Sequence, residues 1–341
     1  MSSSSLDQSF YEACYSGDLL QVTSLLESHP HQININCVSP DGCTPFQRAC
    51  LNNHVDIVRL LLSHPAINVN QLDRDGVNPF YIACQYGQDQ VVMLFLQDNR
   101  IDLHHPDYIG RTPFFIACLE GHDQVIKSLL EDQRIDPTKP TNNGATPFFI
   151  ACQWGHFPVI KLLLEDDRID INRPTNSGET PFLIACQNRH EKVIELLLQC
   201  DRIDVNQSNH AGETPFFIAC RNGSDRTIKM FLADPRINTN QSTNYGVNPL
   251  SWACLLQREK VVTLLLKSGR IDTKLARQGM SPRDMTRKGH KEIMKMVEDH
   301  ETRPKGPFSS PSLTFPLLIF FPSSSDFFNY FLSQHLKSLH L

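Results

Sequence analysis

Apolar positions along the chain recur in two alternating rhythms. A dense run such as PFFIACL, residues 113–119, is followed just after a glycine by HDQVIKSLLED, residues 122–132. In the second segment Val125, Ile126, Leu129 and Leu130 fall at i, i+1, i+4 and i+5, the spacing of one helical face. The dense run predicts a short helix buried on most sides. Stretches such as DDRIDINRPTNSGE, residues 166–179, then interrupt the apolar pattern with Asn, Pro, Ser and Gly, a composition that reads as an extended loop or β-turn.

The alternation is periodic. Thr44-Pro45, Thr112-Pro113, Thr146-Pro147, Thr180-Pro181 and Thr214-Pro215 lie on one grid of 34 residues, the interval from Thr112 to Thr146, and Asn78-Pro79 and Asn248-Pro249 fill its other places. Cys50, Cys84, Cys118, Cys152, Cys186, Cys220 and Cys254 keep the same grid. Thr or Asn before Pro predicts a helix start, because the side chain accepts from orphan N–H groups and Pro has no N–H to leave unpaired. Gly87, Gly121, Gly155, Gly223 and Gly289 stand where a left-handed residue ends that helix. Neither helix of a unit can bury its apolar face alone, so the pairs are expected to stack on a shared core.

The segment GATPFFIACQWGHFPVIKLLLEDDRIDIN, residues 144–172, resembles the ankyrin repeat pattern, and the resemblance recurs in phase from about residue 9 to 300. It implies an all-α repeat solenoid of stacked helix-turn-helix units with projecting β-hairpin or loop fingers. Asn53, Arg189 and Gln257 stand at the glycine position, where a left-handed residue costs least for Asn, and strained or reshaped turns are expected at Arg189 and Gln257. Residues 1–8 are expected to be disordered, 9–300 to form about nine helix pairs including caps, and 301–341, rich in Phe, Ser and Pro, to be disordered. Pro316 and Pro322 cut the apolar run of that tail well short of a membrane span, although the tail could dock on a partner or a membrane surface.

The remaining chemistry is spare. Hydrophobic residues make up 40% of the chain, enough for a core, and a net charge of −5 with interspersed signs offers no footprint for nucleic acid. No basic, apolar leader is evident at the N-terminus, and the eleven cysteines fit free thiols in a reducing compartment, so a cytoplasmic or nuclear location is expected. Equivalent positions on stacked helices are about 8–10 Å apart, too far for the cysteine column to form disulfides, so it reads as small buried packing residues. Cys37, Cys43 and Cys200 lie off the grid and are expected to be exposed. Cys118 with His122, and Cys152 with His156, are separated by the turn glycine and make poor metal half-sites. The column Arg100, Arg134, Arg168, Arg202, Arg236 and Arg270 reads as cations at helix C-termini, paired with acids such as Asp102 and Asp170. No motif requires a cofactor, a metal or a catalytic role.

Function is therefore sought in binding. The resemblance implies a non-catalytic scaffold or adaptor that holds another protein on a concave face of finger tips and first-helix ends. Mapped onto this chain, the partner-binding candidates are Arg74, Tyr86, Tyr108, Ile109, Arg111, Leu119, Trp154, Arg221 and Tyr245. Tyr86, Tyr108, Arg111 and Trp154 are expected to form the anchor patch, since Tyr, Trp and Arg dominate binding hot spots. The alternative is a regulatory or substrate-recruiting subunit of an enzyme complex, for example a ubiquitin ligase, docked through the tail.

Overall fold

The computed structural model describes residues 5–274, 281–286 and 291–302. Expectations for Gly289 and for the tail beyond residue 302 lie outside these residues. The chain divides into two compact units, Met1–Ile237 and Asn238–Leu341.

The first unit is built from α1 (Ser5–Ser16), α2 (Leu19–Ser28), α3 (Pro45–Leu51), α4 (Val55–Ser63), α5 (Pro79–Gln85), α6 (Asp89–Leu96) and α7 (Pro113–Glu120). It continues with α8 (Asp123–Glu131), α9 (Pro147–Trp154), α10 (Phe157–Leu164), α11 (Pro181–Gln187), α12 (Glu191–Leu198), α13 (Pro215–Asn222) and α14 (Asp225–Ala233). Odd-numbered helices pack in series on one another, even-numbered helices do the same, and each odd helix packs on the even helix that follows it. Two helix layers result, with Phe46, Phe80, Phe114, Phe148, Phe182 and Phe216 buried between them. The second unit holds α15 (Pro249–Leu255), α16 (Glu259–Lys267), α17 (Pro282–Met285) and α18 (Lys291–Thr302), with α15 against α16 and α17, and α18 against α16 and α17. Helix α1 includes residues 5–8, which sequence reasoning had left outside the array. Asp7 ties them down, its carboxylate accepting from the Asn34 N–H at 2.8 Å.

The predicted helix starts are present with their chemistry. Thr112, Thr146, Thr180 and Thr214 Oγ1 accept from the backbone N–H three residues on at 3.1–3.2 Å. Asp18 and Ser224 cap the second helices α2 and α14 in the same way, whereas the second helices that begin at a histidine start differently. His122, His156 and His190 make no cap with their side chains. Each Nε2–H instead donates to a carbonyl of the preceding unit, on Gln85, Leu119 and Gln153, at 2.7–2.9 Å. Histidine in this column is thus a bridge between units as well as a packing residue.

Among the described residues the fingers contain no strand. Each is a tight turn closed by one or two backbone bonds, such as Asp107 N–H to Arg111 O at 3.0 Å. Successive fingers stack, with Asn142 N–H donating to Ile109 O at 3.1 Å and Asn176 N–H to Asn143 O at 3.0 Å.

The arginine column corrects one expectation. Arg100, Arg134, Arg168 and Arg236 pair with the aspartate two residues before, on Asp98, Asp132, Asp166 and Asp234, rather than with Asp102 or Asp170. The bent turn brings that nearer carboxylate alongside the guanidinium, whose Nη2 is shared between the carboxylate and a carbonyl farther back. Arg134 Nη2–H donates to Leu96 O, and Arg168 Nη2–H to Leu130 O at 3.4 Å, so each arginine caps the second helix of the preceding unit. All eleven cysteines are free thiols. Cys37 is buried, contrary to expectation, because its Sγ lies under the carbonyl of Asp7 on α1. Cys43 and Cys200 are half-buried.

Candidate functional site

The first unit carries an open groove of about 570 Å³ between the exposed ends of α3 and α5 and three consecutive fingers. Its floor includes Gln47, Ile82 and Gln85, and the finger side brings Arg74, Tyr108, Ile109 and Arg111 against Tyr86 from α5. Five of the nine residues mapped from sequence are therefore gathered at one place.

Local sequence explains the placement. Gly76 takes φ 72°, and a Cβ there would lie 2.7 Å from Cζ of Tyr108, so the glycine lets the next finger's tyrosine lie over it. The Tyr108 hydroxyl donates to Arg74 O at 3.4 Å, while 76% of the residue stays open to solvent. Arg74 in turn lies over Gly42, whose missing Cβ would meet the arginine Cγ. Tyr86 is the C-cap of α5, and 51% of it is exposed.

Most of the charge in the groove is internally balanced. Arg48 pairs with Asp41, its Nε–H donates to the Tyr11 hydroxyl at 2.7 Å, and its guanidinium lies 5.9 Å from the centre of the Tyr15 ring. Arg111 Nε–H donates to Asp107 at 2.5 Å, and the buried Tyr81 hydroxyl donates to the same carboxylate at 3.1 Å. Burial works against the ionised Asp107, but the Arg111 backbone and guanidinium hold it below the usual carboxylate range. Asp73 closes its own finger by accepting from the N–H groups of Asp75 and Val77 at 2.9 and 3.0 Å. Burial beside Asp73 and Asp75 pushes the Cys43 thiol up, which leaves it a poor nucleophile. Arg74 and Asp75 have no side-chain partner among the described residues and remain available to a ligand.

The other four mapped residues lie elsewhere. Trp154 ends α9 and is 57% exposed, yet it does not line this groove. Leu119 is half-buried, with its carbonyl committed to His156. Arg221 is held by Glu213 at 2.7 Å, and Tyr245 is half-buried in the second unit. Sequence mapping missed Arg48, Tyr81, Asp41 and Asp107. Arg48 had left a visible signal, since it interrupts a column otherwise filled by Ile82, Ile116, Ile150, Ile184, Ile218 and Trp252. Asp107 left none that the period could reveal, because its partner is an arginine peculiar to its own finger.

Among the described residues no three or more His, Cys, Asp or Glu side chains are grouped to hold a metal ion, and no helix is long and apolar enough to cross a membrane. A family model described as ankyrin repeats (3 copies) matches residues 10–107, 68–141, 87–175, 114–209 and 203–275. No curated protein matches the chain.

Proposed function

Because the chain belongs to the ankyrin repeat family, whose repeats are generally protein–protein interaction modules, we propose that it is a non-catalytic scaffold that holds a segment of another protein in the groove across α3, α5 and their fingers. The observation that carries this reading is the rim of Tyr86, Tyr108 and Ile109 beside Arg74 and Asp75, large exposed apolar area next to two side chains without partners. Such a rim suits an extended peptide: the rings supply buried area at small entropic cost, and the two charges fix register. The internally paired Arg48–Asp41 and Arg111–Asp107 are already satisfied and serve as a stiff floor.

Cytoplasm or nucleus is the compartment we infer, supported by eleven free thiols, seven of which form the repeat column. The test is affinity capture with crosslinking from the native cell, using the full chain and a Tyr86→Ala/Tyr108→Ala variant. Crosslinks are expected on the fingers at 73–76 and 107–111, with the double variant losing about tenfold or more in affinity. A partner crosslinked only elsewhere, and captured equally by the variant, overturns the assignment.

A further inference from the structure

A second groove, of about 680 Å³, lies farther along the first unit between α9, α11 and the fingers before them. Asn143, Phe149, Gln153, Ser177, Glu179 and Gln187 are among the residues lining it, and none of its lining residues is Lys, Arg or His. Glu179 is its single charge.

The next unit shows how this chain satisfies a carboxylate at the same position. Glu213 follows its finger glycine as Glu179 does, and it is buried with two partners. Arg221 Nη1–H donates to it at 2.7 Å, and Asn209 Nδ2–H donates at 3.0 Å. Both partners are replaced in the unit of Glu179. Gln187 stands where Arg221 would be, eight residues after the glutamate, and Thr175 stands where Asn209 would be. The Thr175 hydroxyl is used on Ser177 Oγ at 2.8 Å and by the Glu179 N–H at 3.2 Å, so it gives nothing to the carboxylate. Half-buried, and with no hydrogen bond to its carboxylate among the described residues, Glu179 has its pKa raised, first by burial and then by Glu213, with Arg221 offsetting part of the effect. A carboxylate kept in this state costs stability that a cation supplied from outside would recover.

We propose that this groove takes an arginine side chain of the partner polypeptide, its guanidinium set against the Glu179 carboxylate and the flanking side-chain amides. Five N–H donors in a planar fork match one carboxylate in a groove also lined by the amides of Asn143, Gln153 and Gln187 better than a point charge does. The assignment rests on the reading of this protein as a binder of other proteins, and it adds an arginine to what the bound segment must contain.

The test uses the full chain, deuterated and ¹⁵N-labelled, titrated with N-acetyl-arginine methylamide and, separately, with its neutral isostere N-acetyl-citrulline methylamide. Saturating shifts at the amides of Ser177, Glu179 and Gln187 are expected with arginine and not with citrulline. Glu179→Gln is expected to weaken the arginine probe about tenfold or more, and so is Gln187→Arg, which supplies the missing cation from within at an exposed position. Equal shifts from both probes, no saturable shift at Glu179, or undiminished binding by Gln187→Arg overturns the proposal. The two readings fail separately. Partner capture lost in the Tyr86/Tyr108 variant while arginine ignores Glu179 removes only this inference, and the reverse pattern removes only the groove assignment above.

Discussion

Gly121 does two jobs that a sequence pattern cannot separate. Its φ of 80° lies in the left-handed region, and an added Cβ would sit 2.5 Å from Nδ1 of His156 in the next unit. Gly87 and Gly155 are pressed in the same way by His122 and His190. Where the turn residue is Asn53 or Arg189, with φ 60° and 61°, the next unit carries Gln88 or Ser224 in place of the histidine. All three non-glycine turns, Gln257 at φ 59° included, keep the left-handed conformation, so the reshaping expected at Arg189 and Gln257 does not occur, and at Asn53 and Arg189 the neighbouring ring is what has been given up. Gly121→Ala is expected to lower stability by about 2 kcal/mol, more than left-handed strain of ~1 kcal/mol alone, with His156→Ala in the same chain recovering part of the loss. Denaturant melts of the four members of that cycle measure the coupling. Position and residue type in this column were legible from the period, but its reason was not, since the contact joins residues 35 apart, as Gly121 and His156 are.

At the scale of an element, the arginine clasp joins the end of one second helix to the turn of the next. Arg134 bonds Asp132 through Nε and Nη2 while Nη2 also reaches Leu96 O. The Arg134 side chain holds the Asp132 carboxyl below its usual range, against a smaller opposing effect of burial, and Asp98 and Asp166 are lowered in the same way. A carboxylate whose folded pKa is depressed adds stability that is complete above its ordinary pKa and is lost as pH falls through the folded value. Asp132→Asn is thus expected to destabilise at neutral pH, and the difference from the parent is expected to vanish in acid below the usual carboxylate range. Melting temperatures of both proteins across that range check it. Sequence reasoning placed these arginines at helix ends correctly but chose the wrong acid, Asp102 or Asp170. Charge spacing says which groups are near, whereas the bend of the Asp98–Arg100 turn says which one faces the guanidinium.

For the molecule as a whole, the stacked helix layers of the first unit were legible almost residue by residue, because the period carries the core with it. The candidate binding surface was legible only in part. Tyr86, Tyr108 and Trp154 occupy equally variable positions in the sequence, and the groove distinguishes them by where the fingers place their tips. Trp154→Ala is accordingly expected to leave capture of a groove-bound partner within about twofold of the parent and to move the melting temperature little, since scattered exposed aromatics add little by themselves. Capture assays run beside the Tyr86/Tyr108 variant compare the two sites directly, and a loss as large for Trp154 would relocate the anchor to the end of α9.

Asparagines following the finger-side turn knit successive units in a second way. Asn70 donates to Arg100 O at 2.7 Å and accepts from Asp102 N–H at 2.8 Å, and Asn172 treats Arg202 and Asp204 alike. Two consecutive places in this series hold His104 and Thr138 instead, and the Thr138 hydroxyl turns to Asp136 in its own loop. A chain of coupled units opens where its nearest-neighbour terms are smallest. Amide hydrogen exchange is expected to be fastest, among equivalent turn amides, at residues 134–136 and 168–170, and slower at 100–102 and 202–204. Restoring His104→Asn and Thr138→Asn is expected to slow it. The first of those junctions falls between the fingers lining one groove and those lining the other, and the second lies within the second groove, between its Asn143 and Asn176 fingers. A bound segment spanning both grooves would therefore close the seam and stiffen the middle of the unit, making protection from exchange a readout of binding itself.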